Sequence, residues 1–274
     1  MNWIICSDVK REARDSLRGR WGLAIGTFLI GGIIASIPNI ISSFINNSER
    51  IMDGNVMLLI VCMSAIVFPI IRALLDVIIG YGYCDFSLNI AKNKNAEISD
   101  IFEGFKHFLK LLLVWLIKGI GFNLLLLPVY ALCILLGIYS VASSLSYFRV
   151  YNNTDLSVLT GGAFAFIGVI FVISIITTVI CIILDTLISQ TYFILKENDS
   201  ESITTCIKNS FKMMKGHIWN YIILNLSFIG WGILCLFTLG IGLLWLTPYT
   251  QITRAKFYLK VKEEYYSNKI TINE

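Results

Sequence analysis

Charge is scarce in this sequence. Asp, Glu, Lys and Arg make up 15% of its 274 residues, against about 25% in ordinary globular chains. A soluble chain of this length needs far more charge to cover its surface, so soluble domains are excluded. Disorder is excluded as well, because disordered chains combine low hydrophobicity with high charge, and hydrophobic residues here reach 56%. Histidine is nearly absent, with His107 and His217 only. Neither has an acid at metal-ligand spacing, and no H-E-x-x-H occurs. The seven cysteines, Cys6, Cys62, Cys84, Cys133, Cys181, Cys206 and Cys235, form no C-x-x-C pair. That spacing suits small buried hydrophobes rather than a zinc or redox site. Gly240-Ile241-Gly242 lacks the Lys-Ser or Lys-Thr of a phosphate loop. The expectation is a protein that is not an enzyme, with no cofactor and no metal.

What is abundant is long apolar sequence. A membrane span needs about 20 apolar residues to cross roughly 30 Å of hydrocarbon. Trp21–Phe44, Gly119–Phe148, Leu156–Leu184 and Ile218–Thr253 carry no charge, and Asn55–Gly80 carries only Arg72 and Asp76. The last uncharged run is too long for one span, and Thr238-Leu239-Gly240-Ile241-Gly242 near its middle suits a tight turn. The pattern predicts an all-α polytopic membrane protein with about six transmembrane helices: 21–44, 55–80, 111–140, 160–186, 218–237 and 242–260. The last two could instead be one span and a re-entrant segment. The first apolar run is too long for the core of a cleaved signal peptide.

The cations are strongly asymmetric. Eighteen of the 22 Lys and Arg residues fall on the N-terminal arm, the loops after the second and fourth spans, and the C-terminal end. The opposite side has only Arg50 and Arg149. By the positive-inside rule both termini are expected in the cytoplasm. The net charge of +4 is thus a topology signal, and nucleic acid is not an expected partner.

Three basic segments resemble amphipathic helices lying in the headgroup layer. Ser7 could cap a helix through Gly19 with Val9, Ala13, Ser16 and Leu17 on one face. Ser99 could cap a second, with Ile98, Ile101, Phe102, Phe105 and Phe108 at helical spacing. Ser200 or Ser202 could cap a third, with Ile203, Ile207, Phe211 and Met214 in one stripe beside Lys208, Lys212 and Lys215. Gly19 and Gly216 fit helix C-terminal positions, followed by interfacial Trp21 and Trp219. Each segment precedes two spans, so three pseudo-repeats are expected within one membrane domain: 1–83, 84–194 and 195–274. Lys10, Arg11, Arg14, Arg18, Lys208, Lys212 and Lys215 are the candidate contacts to anionic lipid headgroups.

Charges inside spans cost roughly 2.5–3.5 kcal/mol each at a helix centre. Arg72, Asp76, Lys118 and Asp185 are the four of this kind. They form a candidate intramembrane cluster, or else they snorkel towards the headgroups. Two functions follow. One is non-catalytic binding of lipid, of a membrane partner or of a second copy, in envelope homeostasis or protection against membrane-active peptides. The alternative is a small permease or ion-coupled transporter using the charge cluster.

Several motifs resemble an uncharacterised bacterial integral-membrane family, domain of unknown function 975. They are Met213-Met214-Lys215-Gly216-His217, Leu226-Ser227-Phe228-Ile229-Gly230-Trp231, and Leu244 through Tyr249. Gly80-Tyr81-Gly82-Tyr83 with Ile101-Phe102-Glu103-Gly104-Phe105 is similar to it too, as is Val9-Lys10-Arg11-Glu12-Ala13 with Arg18-Gly19. The resemblance implies a protein of a bacterial cell (plasma) membrane and carries no reaction with it. Residues 119–190 are longer and more apolar than the family pattern, which allows an extra hairpin there.

Overall fold

The computed structural model describes residues 6–47, 54–151, 156–198 and 200–273. Its elements are α1 (Cys6–Ser16), α2 (Trp21–Asn47), α3 (Gly54–Ala91), a 3-10 turn (Ile98–Phe102), α4 (Glu103–Lys106), α5 (Phe108–Tyr151), α6 (Leu156–Ile188), α7 (Thr191–Glu197), α8 (Ile203–Met214), α9 (Ile218–Phe237) and α10 (Leu243–Asn273). No strand occurs among the described residues. Five stretches are long and apolar enough to cross a membrane: Trp21–Ile45, Cys62–Ala91, Phe108–Tyr139, Phe171–Glu197 and Ile218–Phe237. The sixth expected span is helical but does not qualify. It opens α10, a 31-residue helix that turns polar at Arg254. Pro38, Pro69, Pro128 and Pro248 all lie inside helices. Membrane helices tolerate such prolines because neighbouring groups re-satisfy the freed carbonyls.

The chain divides into two compact units, Met1–Trp115 with Thr186–Glu274, and Leu116–Asp185. In the first, the core lies towards one end of the apolar helices. α3 shows why. Its 38 residues extend about 57 Å, nearly twice the hydrocarbon thickness. Met63, Ile66, Ile70 and Ile71 are exposed, whereas Tyr81, Phe86, Leu88 and Ile90 are buried. The helix thus presents an apolar surface for lipid and then enters a layer of protein. α2 packs along it: Phe28 stacks on Tyr83 at 4.2 Å, and the Tyr83 hydroxyl donates to the Phe28 carbonyl at 2.8 Å. Ala13, Leu17, Ala24, Phe28, Phe86, Ile90 and Ile252 form one cluster there. A second gathers Tyr81, Leu195, Met214, Leu224, Phe257 and Tyr258.

The three expected interfacial helices differ from one another. α1 forms, but Ser7 lies inside it, and Val9, Ala13 and Leu17 are fully buried. Its apolar face is consumed by protein, chiefly α10, and is not offered to lipid. The second expected helix is broken: the 3-10 turn and α4 end at His107 before α5 begins. Glu97 caps that turn in place of Ser99, in a capping box with Asp100. Only Ile101 of its stripe is buried, leaving Ile98, Phe102, Phe105 and Phe108 exposed. α8 forms as expected and is capped by Ser202, whose side chain accepts from the Thr205 amide. Met214 is buried there, while Lys208, Lys212 and Lys215 are exposed. Gly19 (φ +77) and Gly216 (φ +101) hold the left-handed conformation that ends a helix.

The second unit pairs the inner parts of α5 and α6. None of its described residues is buried. Leu124, Leu135, Ile138, Phe171 and Ile176 all face outward. Side chains with this exposure suit a lipid surroundings. Arg149 and residues 160–170 of the fourth expected span carry no described side chains, and Arg50 lies outside the described residues.

Candidate functional site

The described residues of the first unit enclose a cavity of about 670 Å³. α1 contributes Ser7, Lys10, Arg11 and Arg14, α2 contributes Trp21, and the α9–α10 hairpin contributes Trp231, Cys235, Gly242, Trp245, Leu246 and Tyr249. Three cations therefore face a wall of indoles. The helical period explains the cationic side: Lys10, Arg11 and Arg14 follow at i, i+1 and i+4, beside the buried stripe of Val9 and Ala13. The Tyr249 hydroxyl donates to the Lys10 carbonyl at 3.3 Å and fixes α1 to α10. The Lys10 ammonium sits 4.4 Å from the centre of the Phe228 ring, within cation–π range. Phe228 meets Tyr249 edge to face at 5.5 Å, and Tyr249 lies 6.4 Å from Trp21. Arg11 is paired with Asp8 at 3.1 Å.

Burial holds the Lys10 ammonium below the ordinary lysine range, with Cys6 offsetting part of the shift. The same burial pushes the Cys6 thiol up against the opposing pull of Lys10. An anion in the cavity would return to Lys10 what desolvation removes. Arg18, another candidate headgroup contact, is exposed in the turn after α1 and does not line the cavity. Lys208, Lys212 and Lys215 lie on α8, also outside it.

The four charges expected inside spans form two ion pairs. Arg72 meets Asp76 at 3.4 Å along α3. In the second unit, Lys118 donates to Asp185 at 3.0 Å across α5 and α6. Pairing satisfies each charge locally.

Sequence reasoning missed a set of buried acids in the protein layer. Asp85 is 1% exposed and bonds Lys196 at 2.7 Å. Asn89 donates to both Asp85 and Asp100. Glu197 accepts from Lys92, from Tyr258 and from Lys262, the last at 2.6 Å. Arg254 donates twice to the Asn225 carbonyl oxygen, at 2.8 and 3.1 Å. The one available signal was Asp85 within an aromatic and apolar run, Tyr81 to Leu88, at the C-terminal end of a span. His217 is buried 3.7 Å from Glu264, and His107 packs against Tyr81. Among the described residues, no group of three or more His, Cys, Asp and Glu side chains is arranged to hold a metal.

The family described as Protein of unknown function (DUF975) matches residues 5–265. No curated protein and no solved structure matches the chain. With nearly its whole length matched, this chain belongs to the DUF975 family.

Proposed function

We propose a non-catalytic membrane protein that acts by holding an anionic amphiphile. The observation that carries this reading is the cavity, with Lys10, Arg11 and Arg14 on one side and Trp231, Trp245 and Leu246 on the other. Its volume of about 670 Å³ is within the usual range for small-ligand sites. A phosphate group would meet the three cations, and an alkyl chain would lie along the indoles. The cation-rich side of the protein faces the cytoplasm of a bacterial cell in this reading, where anionic lipid adds about 1 kcal/mol of attraction per exposed cation. Lys208, Lys212 and Lys215 contribute through that surface term. The permease alternative has less support, because the ion pairs Arg72–Asp76 and Lys118–Asp185 leave no charge unpartnered at those four positions.

The test uses the full chain in detergent, with native mass spectrometry and thermal shift as readouts. Phosphatidylglycerol should bind and stabilise the protein, whereas phosphatidylcholine and inorganic phosphate should not. The variant Lys10→Gln/Arg11→Gln/Arg14→Gln should lose at least tenfold in affinity for phosphatidylglycerol. Equal binding by the variant, or equal binding of phosphatidylcholine, would refute the reading. Binding of inorganic phosphate alone would mark an anion site with no lipid role.

A further inference from the structure

We propose that the α9–α10 hairpin enters only the leaflet on the α1 side, takes the acyl chains of that leaflet as its partner, and does not reach the opposite face. α9 is long and apolar enough to cross by itself. Its neighbours limit how deep it can go.

The hairpin is antiparallel and closely paired. Tyr221 meets Phe257 at 5.3 Å, Asn225 meets Arg254, and Phe228 meets Tyr249. The chain reverses through Leu239 (φ 52) and Gly240 (φ 83), and the Gly242 amide donates to the Thr238 hydroxyl at 3.1 Å. From Asn225 to Phe237 is twelve residues, about 18 Å of helix. From Leu243 to Arg254 is eleven, about 16 Å. One leaflet contributes about 15 Å of hydrocarbon. The Asn225–Arg254 pair therefore stands about one leaflet above the tip.

α1 sets the same limit independently. It carries Asp8, Lys10, Arg11, Glu12, Arg14 and Asp15, and it lies against the hairpin at Phe228 and Tyr249. Phe228 is nine residues, about 13 Å, from Phe237. If the tip reached the far headgroups, α1 would sit near the bilayer centre with all six charges. At roughly 2.5–3.5 kcal/mol for each charge at a helix centre, that placement is prohibitive. With α1 at the surface, the tip stops near the midplane.

The tip has the composition for that depth. Leu236, Phe237, Leu239 and Ile241 are 70, 83, 94 and 59% exposed, and Thr238 through Gly242 carry no charge. The sequence after Phe44 has the opposite character: Asn46-Asn47-Ser48-Glu49-Arg50 is polar throughout. Chain parity agrees. Glu12 pairs with Lys260 at 2.8 Å, so α1 and the C-terminal half of α10 share one side. Four crossings with one dip satisfy that, as six crossings would, and five cannot. The charges on α1 and Arg254 decide for four.

The experiment places single cysteines at Leu239 and at Ser48 in a cysteine-free background and labels intact cells with a membrane-impermeant maleimide. Leu239→Cys should label at less than one-tenth of Ser48→Cys from outside. It should also label poorly on inverted vesicles, and fully after detergent. Labelling of both positions alike from outside would overturn the proposal. A bimane at Leu239 in reconstituted vesicles should be quenched most by lipids brominated near the chain ends; strongest quenching by water-soluble iodide would overturn it. Should the cysteine-free chain not fold, Leu239→Lys in the native chain keeps the test open. Buried at the midplane, that variant should lower the yield of folded protein several-fold, while Ser48→Lys should not. Equal yields would refute the half-membrane placement.

Discussion

Gly82→Ala should destabilise the protein, while Gly80→Ala, two residues away on the same helix, should stabilise it. A Cβ built on Gly82 would lie 2.2 Å from the Ile101 carbonyl oxygen and 2.6 Å from its carbon. Both atoms are backbone, so no rotamer change can relieve them, and α3 and the 3-10 turn must separate by about 1 Å. Overpacking of this kind costs about 1–3 kcal/mol, occasionally more. Alanine returns roughly 1 kcal/mol in helix propensity. The net expectation for Gly82→Ala is a loss of about 1 kcal/mol, and up to about 2 where the backbones cannot part. A Cβ on Gly80 meets nothing within 4 Å, so only the propensity gain of up to about 1 kcal/mol remains. The facing glycine gives a check from the other partner. A Cβ on Gly104 would lie 2.3 Å from the Ile78 carbonyl oxygen, so Gly104→Ala should behave like Gly82→Ala. The assay is thermal unfolding of purified variants in one detergent. A Gly82→Ala midpoint at or above wild type would refute the close-crossing argument. So would losses of the same size at Gly80 and Gly82.

Lys118→Gln and Asp185→Asn should each lower the thermal midpoint, and the double variant should lose less than their sum. The coupling should be about 0.5–1.5 kcal/mol, as for polar contacts between membrane helices; additive losses would mean that the pair seen at 3.0 Å contributes nothing. Glu197→Ala should cost about 2–4 kcal/mol, because it strands the buried Tyr258 hydroxyl and two lysines. Glu197→Gln should cost less, since it keeps an acceptor, and equal losses would show that the carboxylate's hydrogen bonds do not matter. Burial holds Lys10 below the ordinary lysine value, so its charge is lost earlier as pH rises. Phosphatidylglycerol binding in detergent should therefore weaken in the alkaline range at lower pH for wild type than for Lys10→Arg; coincident pH profiles would remove Lys10 from the site.

The helical class and the positions of five long apolar helices were legible because burial in lipid leaves a plain mark: some 20 residues with little or no charge. The turn at 238–242 was legible for a different reason, since glycine is the residue that the left-handed conformation of Gly240 favours (φ 83). The same rule found Gly19 and Gly216. Depth was not legible. Ile218–Thr253 reads as uncharged sequence whether it crosses twice or dips once. The difference lies in α1, which is more than 200 residues away and packs against Phe228 and Tyr249. The second interfacial helix was misread because helical spacing cannot show that Gly104 must pass close to the Ile78 backbone. α4 ends within about one turn, where His107 leaves helical backbone geometry (φ −106, ψ 19).

The site was legible only in part, and the reason is that one residue type has two duties here. Lys10, Arg11 and Arg14 were named as headgroup contacts, and they line the cavity. Lys92, Lys196, Lys260 and Lys262 entered the sequence argument only as counts in a charge asymmetry. In the structure they bond Glu197, Asp85 and Glu12. Their pairing leaves the topology argument intact, because an ion pair does not move a residue across the membrane. It does reduce what the asymmetry says about lipid. A cation bound to a carboxylate cannot also be counted as attracting an anionic surface, since the pair is neutral from a Debye length away. The attraction then rests on cations that remain exposed, such as Arg18, Lys208, Lys212 and Lys215. Removing these four should weaken association with anionic vesicles without unfolding the protein. Removing the four half-buried lysines Lys92, Lys196, Lys260 and Lys262 should do the reverse.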